Sequence, residues 1–275
     1  MPKILRGVKK IIMDSINTKN QLPIKFFLLV FTLSIPFWLL GFVFPKVTET
    51  LPIKLPISAL MTFCPLIAAA ILVYKKQKMQ GVKDLLKQSF DFKKITDTQW
   101  YVPIVFLMPV IAFISYWYTK GAIENETQSP ILTIFLFFIA FFIGAIGEEI
   151  GWSGYIIHPL QNQFGALKAS IILGSIWAIW HILPYNQAGQ TPIWIFWQCL
   201  STVFLRIIMV WLFNNTGKSV FGMVLFHTMI NLNPFLIPNN GAHYDPFIFC
   251  LLLMGVTSIV LFFYDSKTLT KFKYA

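Results

Sequence analysis

The sequence predicts an all-α polytopic membrane protein, with about eight transmembrane helices around a polar cavity inside the membrane. Of the 275 residues, 56% are hydrophobic and only 12% are charged, whereas soluble domains are about 25% charged. The mean hydropathy is +0.68, and apolar runs of spanning length recur along the chain. A few carboxylates and imidazoles lie inside those runs, where a charged group is costly and therefore usually faces a polar cavity.

Three regions are predicted along the chain. Residues 1–24 place basic residues between apolar ones at helical spacing, which predicts a basic amphipathic helix on an anionic membrane surface or, nearly as well, a solvated basic tail. A single membrane domain covers residues 25–265, and a cytoplasmic tail covers 266–275. The apolar runs and turn signals predict spans at 25–45, 55–74, 100–118, 131–152, 166–183, 192–213, 218–234 and 246–264.

Loop charges predict the orientation. Loop 75–99 holds seven lysines and the tail 266–275 adds three, whereas loops 46–54, 119–130 and 235–245 are poor in basic residues. Because basic loops stay in the cytoplasm, both termini are predicted to be cytoplasmic. The formal charge of +11 is explained by basic cytoplasmic loops, which lie next to the anionic lipid surface. No nucleic-acid partner is therefore expected.

The remaining composition favours a particular setting. A chain rich in Lys, Ile, Phe and Asn is typical of an AT-rich bacterial genome, so we expect a multi-pass protein of the bacterial plasma membrane. The three cysteines, Cys64, Cys199 and Cys250, all lie in apolar runs without a CxxC pair. They are interpreted as small buried hydrophobic residues rather than disulfide or metal ligands.

Strongly polar residues inside the spans are the candidate site residues. They are Glu148 and Glu149 in span four, His181 in span five, Arg206 in span six, and His227 and Asn231 in span seven. A carboxylate can take a proton from water, imidazoles can hold that water, and an amide can stabilise an oxyanion. Each residue alone has a simpler explanation, as an interfacial histidine or a solvated glutamate pair. Their occurrence together on several spans favours hydrolysis inside the membrane.

Three ordered motifs resemble those of the CPBP family, the CAAX prenyl protease and bacteriocin-processing group. The first motif is Glu148-Glu149-Ile150-Gly151-Trp152-Ser153, the second pairs Trp177 with His181, and the third pairs His227 with Asn231. Within the second and third motifs three residues separate the partners, so they share a helix face. Each motif alone is weak, but their order and spacing in an eight-span chain match the family.

The resemblance implies a glutamate- or metal-dependent intramembrane endopeptidase. Glu148 would then be the general base, His181 and His227 would hold the water, and Asn231 would donate to the oxyanion. Glu149 would support the site, and Trp177 would form an aromatic wall beside His181. Glu148, His181 and His227 could bind zinc, but the same residues can also position water without a metal. The sequence leaves the cofactor unknown.

One residue departs from the family motif. Ser153 stands where the family usually has an arginine, and a serine cannot form an ion pair with Glu149. Arg206 is expected to replace that arginine across helices; the alternatives are that Arg206 snorkels to the headgroups, or that the site has decayed. A further difficulty is that hydropathy places Glu148 near the inner end of span four and His181 near the outer end of span five. Span four is therefore expected to run on past residue 152.

The expected substrate is a peptide or the tail of a membrane-associated protein, without a prenyl group, entering a cavity that opens toward the cytoplasm. Two other functions remain open. One is a catalytically silent membrane partner that confers bacteriocin immunity or senses peptides. The other is a proton-coupled transporter that uses the same residues as a relay, although the sequence lacks the inverted repeats typical of such proteins.

Overall fold

The computed structural model describes residues 24–44, 57–119, 129–238 and 244–270. Residues 1–23 of the predicted amphipathic segment 1–24, all or part of each of the three predicted outer loops, and residues 271–275 lie outside these ranges. Helices without any β-strand make up the regular structure of the described residues, which confirms the all-α class.

Nine α-helices occur in the described part of the chain. They are α1 Ile24–Val43, α2 Cys64–Lys87, α3 Tyr101–Thr119, α4 Ile131–Glu149, α5 Ile157–Phe164, α6 Ala166–Gln187, α7 Pro192–Asn215, α8 Val220–Leu232 and α9 Pro246–Phe263. A 3₁₀ segment, Ile57–Phe63, leads into α2, and another, Asn233–Leu236, follows α8. A π-helical segment, Ile150–Ile156, joins α4 directly to α5.

Seven helical stretches of the described residues are long and apolar enough to cross a membrane. They correspond to seven of the eight predicted spans. The remaining prediction, 218–234, coincides with the shorter apolar helix Val220–Leu236. The multi-pass membrane class is therefore confirmed, and the helix at the seventh predicted span ends in the 3₁₀ segment Asn233–Leu236.

The fourth span continues well past residue 152, as expected. Helical structure runs without a break from Ile131 to Phe164, over 34 residues. At a rise of about 1.5 Å per residue this stretch is about 50 Å long, and Glu148 lies near its middle. Glu148 and His181 therefore lie at a similar depth in the bundle, unlike the separation that hydropathy implied.

The two ends of the helical bundle differ in charge. At one end, Ala166 N donates to Lys267 O (2.8 Å), Asn214 Nδ2 donates to Thr268 O (2.8 Å), and Ser219 Oγ donates to Asp91 Oδ1 (2.8 Å). These contacts bring together the ends of α2, α5, α7 and α9 with the starts of α6 and α8. We call this the lysine-rich end, since Lys87, Lys93, Lys94, Lys168, Lys218 and Lys267 lie there.

The opposite end, called here the lysine-poor end, joins other helix termini. Trp38 Nε1 donates to Met61 Sδ (3.1 Å), and Gln187 Nε2 donates to Trp38 O (2.8 Å). The end of α1 is thus fastened to the 3₁₀ segment before α2 and to the last turn of α6. Each of these helices therefore runs from one end of the bundle to the other.

Candidate active site

A cavity of about 560 Å³ lies between the helices and collects most of the predicted site residues. Glu148, His181, His227 and Asn231 all line it, as does Trp177. They come from α4, α6 and α8, so three separate helices contribute to one cavity. Glu149 and Arg206 are not lining residues; both are buried behind the cavity wall, with exposed fractions of 0% and 1%.

The Glu148 carboxylate lies within hydrogen-bonding distance of three donors from three elements. Trp152 Nε1 (3.2 Å) and Trp177 Nε1 (2.7 Å) both donate to Oε2. Thr62 Oγ1 lies 3.1 Å from Oε1 and 3.0 Å from Gly144 O, and its one hydrogen can go to either acceptor. Glu148 is 6% exposed and lines the cavity; a carboxylate can accept about four hydrogen bonds, so it can also accept one from water.

The second glutamate forms a buried ion pair with Arg206. Arg206 Nη1 and Nη2 each lie 3.1 Å from one oxygen of Glu149, Oε2 and Oε1 respectively, which is a bidentate arrangement. Ser153 Oγ also donates to Glu149 Oε2, and the guanidinium carbon lies 4.3 Å from the centre of the Trp177 ring. The expected pairing is present, and the snorkelling alternative is wrong for Arg206.

The hydrogen bonds of the two histidines determine their tautomers. His181 Nδ1 lies 2.9 Å from Trp177 O, and His227 Nδ1 lies 2.9 Å from Glu149 Oε1. A carbonyl oxygen can only accept, and so can a carboxylate paired with arginine. Each Nδ1 therefore carries a proton, and Nε2 is the ring atom left for water or substrate. The Trp177 ring meets both imidazoles edge to face, with centroids 5.7 and 5.3 Å away.

Several residues in or next to the cavity wall were not identified from the sequence. Thr62 and Trp152 hold Glu148, while Tyr185 stacks on His181 with ring centroids 5.6 Å apart. Gln198 lines the cavity and accepts a hydrogen bond from Tyr244 outside it. Trp152 had a detectable signal, since it lies four residues after Glu148 on the same helix face. The others depend on contacts between distant segments, which no local pattern reveals.

A metal site is the less supported use of these residues. No group of three or more His, Cys, Asp or Glu side chains in the described ranges is placed to hold a metal ion. The zinc site suggested for Glu148, His181 and His227 therefore stays a prediction; there the carboxylate and the two imidazoles would be the ligands.

The cavity extends from Glu148 toward the lysine-poor end only. Its lining residues occupy positions 140–148 on α4, 177–188 on α6, 198–205 on α7 and 227–235 on α8 and the turn after it. In each case they lie between the depth of Glu148 and the lysine-poor terminus of that helix. Glu148 therefore lies at the end of the cavity that is furthest from the lysine-poor helix termini, and the expected opening toward the cytoplasm stays a prediction.

Together these features define a polytopic helical membrane protein with a polar site enclosed between its helices. Residues 130–233 match the family model described as type II CAAX prenyl endopeptidase Rce1-like. Over 246 aligned residues, 81% of this chain and 87% of the relative, the chain is 27% identical to CAAX prenyl protease 2 of the archaeon Methanococcus maripaludis. The family resemblance carried by the three motifs is confirmed, and the similarity indicates that the chain is an endopeptidase.

Proposed function

We propose that this chain is an intramembrane endopeptidase in which Glu148 activates water for attack on a peptide bond. The observation that carries the proposal is the convergence of Glu148, His181, His227 and Asn231 on one cavity between helices. A base, two imidazole acceptors and an amide donor are the groups that peptide hydrolysis needs.

The reaction follows from the hydrogen-bonding capacity of each group. Water in the cavity donates one hydrogen to Glu148 and the other to Nε2 of one of the two histidines, His181 or His227, which orients it. Its oxygen attacks the peptide carbonyl carbon while its proton passes to Glu148. The Asn231 amide donates to the oxyanion that forms. The C–N bond then breaks, and the proton held by Glu148 passes to the leaving amine.

Glu149 and Arg206 act on this chemistry from behind the wall. The ionised Glu149 keeps the Nδ1–H of His227 fixed, as carboxylates commonly do for catalytic and metal-bound histidines. Arg206 neutralises Glu149, so the cavity does not carry two adjacent unpaired carboxylates. Ser153 adds a neutral donor, which lets an arginine from another helix take over the charge pairing.

The proposed substrate is a peptide or the tail of a membrane-associated protein in the bilayer. Two residues of the cavity wall, Leu60 and Ile143, are 54% and 51% exposed, so the wall between the 3₁₀ segment Ile57–Phe63 and α4 reaches the lateral surface of the bundle. An apolar segment can approach along this surface from the lipid. Residence in a bacterial plasma membrane with cytoplasmic termini belongs to the same proposal, although the identified relative is archaeal.

Replacement of Glu148 by glutamine tests the proposal. An amide cannot accept the proton from water, and loss of a general base typically slows a reaction about 10²–10⁴-fold. Peptide release should be measured on purified protein, with Asp84→Asn as the matched control, because Asp84 is exposed and far from the cavity. Near-normal cleavage by Glu148→Gln would mean that the base lies elsewhere.

The same peptide-release assay distinguishes histidines that hold water directly from histidines that bind a metal ion. Activity that survives a strong chelator supports water held by imidazoles, whereas loss with recovery on added zinc would support a metal-dependent endopeptidase. The silent-partner alternative depended on Ser153 in place of arginine. Since Arg206 provides the cation instead, the argument for a silent partner is weaker. Cleavage of any peptide by the wild-type protein would rule out the silent-partner alternative.

A further inference from the structure

We propose that a groove beside a bend in α2 binds one phospholipid with an anionic headgroup. An acyl chain lies along the apolar wall of the groove, and the phosphate lies between Lys75 and Lys78. The groove shares no lining residue with the catalytic cavity, and the proposal does not depend on the proposed peptidase function.

The groove lies at a point where α2 is not straight. Lys78 has φ 56° and ψ −157°, which interrupts the helix between its two halves. A positive φ is unfavourable for a residue with a side chain, and strained residues of this kind cluster at active sites, ligand clamps and switch regions. The second half packs tightly on the end of the first: a Cβ atom at Gly81 would lie 2.4 Å from Gln77 Cβ and 2.9 Å from Val73 Cγ1. Glycine at position 81 therefore permits the bend.

The wall of the groove is apolar, and its volume is about 350 Å³. Val82 lines it after the bend, and the lining residues before the bend are Leu66, Ile67, Ala70, Ile71, Tyr74 and Lys75. These positions recur at spacings of three and four, so they share one face of the helix, and they cover about 14 Å at helical rise. Ile67 and Tyr74 are 38% and 48% exposed. The groove is therefore on the outer surface of the bundle, where part of a lipid chain can enter from the side.

Lysine side chains lie where the groove ends. The apolar run of α2 stops at Tyr74, and Lys75, the next residue, is itself a lining residue. The Lys78 ammonium lies 5.8 Å from the centre of the Tyr74 ring, an attraction that keeps the charge beside the groove. The nearest acidic residue along the chain is Asp84, and it pairs with Lys87 at 3.2 Å. The end of the groove is thus positively charged.

This arrangement matches an anionic phospholipid in both of its parts. Basic residues at the end of a span attract anionic headgroups, whereas a zwitterionic headgroup brings its own ammonium group, which the lysines repel. A free phosphate ion would use the lysines but leave the apolar wall uncovered. The ligand that uses both the wall and the charge has an acyl chain and a net negative headgroup.

Native mass spectrometry of the purified, delipidated full chain tests the proposal. Phosphatidylglycerol and phosphatidylcholine with identical acyl chains are titrated separately. We expect one phosphatidylglycerol molecule to bind about 10-fold or more tightly than phosphatidylcholine, because each lysine near an anionic headgroup contributes about fivefold to affinity. Lys75→Gln combined with Lys78→Gln should abolish most of that preference. Lys168→Gln combined with Lys267→Gln removes the same charge from exposed positions elsewhere and should preserve it.

A second comparison tests the apolar wall. Ala70→Leu places a larger side chain in the groove and should weaken the binding of both lipids several-fold. Ile259→Leu, at a position on α9 that is 61% exposed, should change neither. Glycerol phosphate has the headgroup chemistry without acyl chains, so it should not displace the bound lipid at an equal concentration.

Three results would overturn the proposal. Equal affinity for both lipids, or an equal loss of preference in the two lysine pairs, would indicate general attraction between charged surfaces. Displacement by glycerol phosphate would indicate a simple anion site. A wild-type chain that binds neither lipid, as a monomer or as a dimer, would indicate that another segment of the chain or a second copy occupies the groove. All four lysines are exposed, so these variants should keep the unfolding midpoint of wild type in detergent, and lost lipid binding is then distinguishable from lost folding.

Discussion

At the scale of single residues, the Thr62 hydroxyl is placed where it can control the proposed base. Its one hydrogen can go to Gly144 O at 3.0 Å or to Glu148 Oε1 at 3.1 Å. Donation to the carboxylate would fix the orientation of the carboxyl plane. Thr62 lies outside the matched family region 130–233, so no motif points to it. We regard it as a positioning residue for Glu148.

Thr62→Val should lower kcat with little change in KM, since valine keeps the shape and loses the donor. A hydrogen bond to a charged group contributes about 1.5–3 kcal/mol, so a decrease of about 10-fold or more is expected. Thr62→Ser keeps the donor and should restore most of the activity in the same peptide-release assay. Equal losses in both variants would indicate a packing role instead.

Arg206 is the residue whose loss should cost the most stability. Arg206→Met leaves the Glu149 carboxylate buried with only Ser153 and His227 as partners. Removing one member of a buried pair typically costs about 3–5 kcal/mol. The midpoint of thermal unfolding in detergent should therefore fall clearly, and the yield of folded protein should fall with it.

Two second-site changes test the cause of that loss. Glu149→Gln added to Arg206→Met removes the uncompensated charge and should recover part of the stability, though not the activity. Ser153→Arg added to Arg206→Met restores a cation four residues from Glu149 on the same helix and should also recover part. If neither change has any effect, Arg206 acts through its packing on Trp177 rather than through its charge.

At the scale of helices, the continuous stretch from α4 through the π-helical segment to α5 positions both glutamates. A π-helical turn adds a residue to the helical repeat and is often found at functional sites. Directly before it, Glu148 faces the cavity and the adjacent Glu149 faces Arg206 on α7. Neighbouring helical positions point about 100° apart. One helical turn can therefore place Glu148 in the cavity and Glu149 against Arg206.

Gly151 lets this segment approach α2 closely. A Cβ atom at position 151 would lie 2.5 Å from Pro65 Cβ and 2.6 Å from the Pro65 carbonyl carbon and oxygen. Backbone atoms cannot move aside cheaply, and overpacking typically costs about 1–3 kcal/mol. Gly151→Ala should therefore lower both thermal stability and peptidase activity.

Gly255→Ala is the matched control, because nothing lies within 4 Å of a Cβ at that position in α9. Alanine is the better helix former, so this variant should be as stable as wild type or slightly more so. A comparable loss in both variants would mean that helix flexibility, and not the contact with Pro65, determines the effect.

At the scale of the whole molecule, hydropathy predicted the positions of the apolar helices but not the depth of the site. Seven predicted spans are long apolar helices, because spanning length and apolar composition are local properties. The motif spacing also identified Glu148, His181, His227 and Asn231 as neighbours of one cavity. The direction in which that cavity extends from Glu148 could not be predicted, since it depends on how separate helices pack against one another, which no local pattern reveals.

The lysine-rich end is held together by contacts between segments far apart in sequence. Asp91 accepts hydrogen bonds from Ser219 Oγ (2.8 Å), Phe221 N (3.0 Å) and Val220 N (3.4 Å), and it pairs with Lys94 Nζ at 2.8 Å. A carboxylate at the start of α8 satisfies amide groups that have no partner within the helix, and it is favoured by the positive end of the helix dipole. The residue thus ties the segment after α2 to the helix that carries His227.

Asp91→Ala should loosen that connection and affect the distant site. Loss of a capping side chain costs about 0.5–2 kcal/mol, so a lower unfolding midpoint and a moderate decrease in peptidase activity are expected, since His227 lies two turns further along α8. Asp84→Ala is the control: Asp84 also pairs with a lysine, Lys87, but both side chains are exposed, and exposed pairs contribute about 0–1 kcal/mol. An effect of Asp91→Ala on stability without any effect on activity would show that α8 keeps its position through packing alone, and that the lysine-rich end anchors the fold without influencing the catalytic cavity.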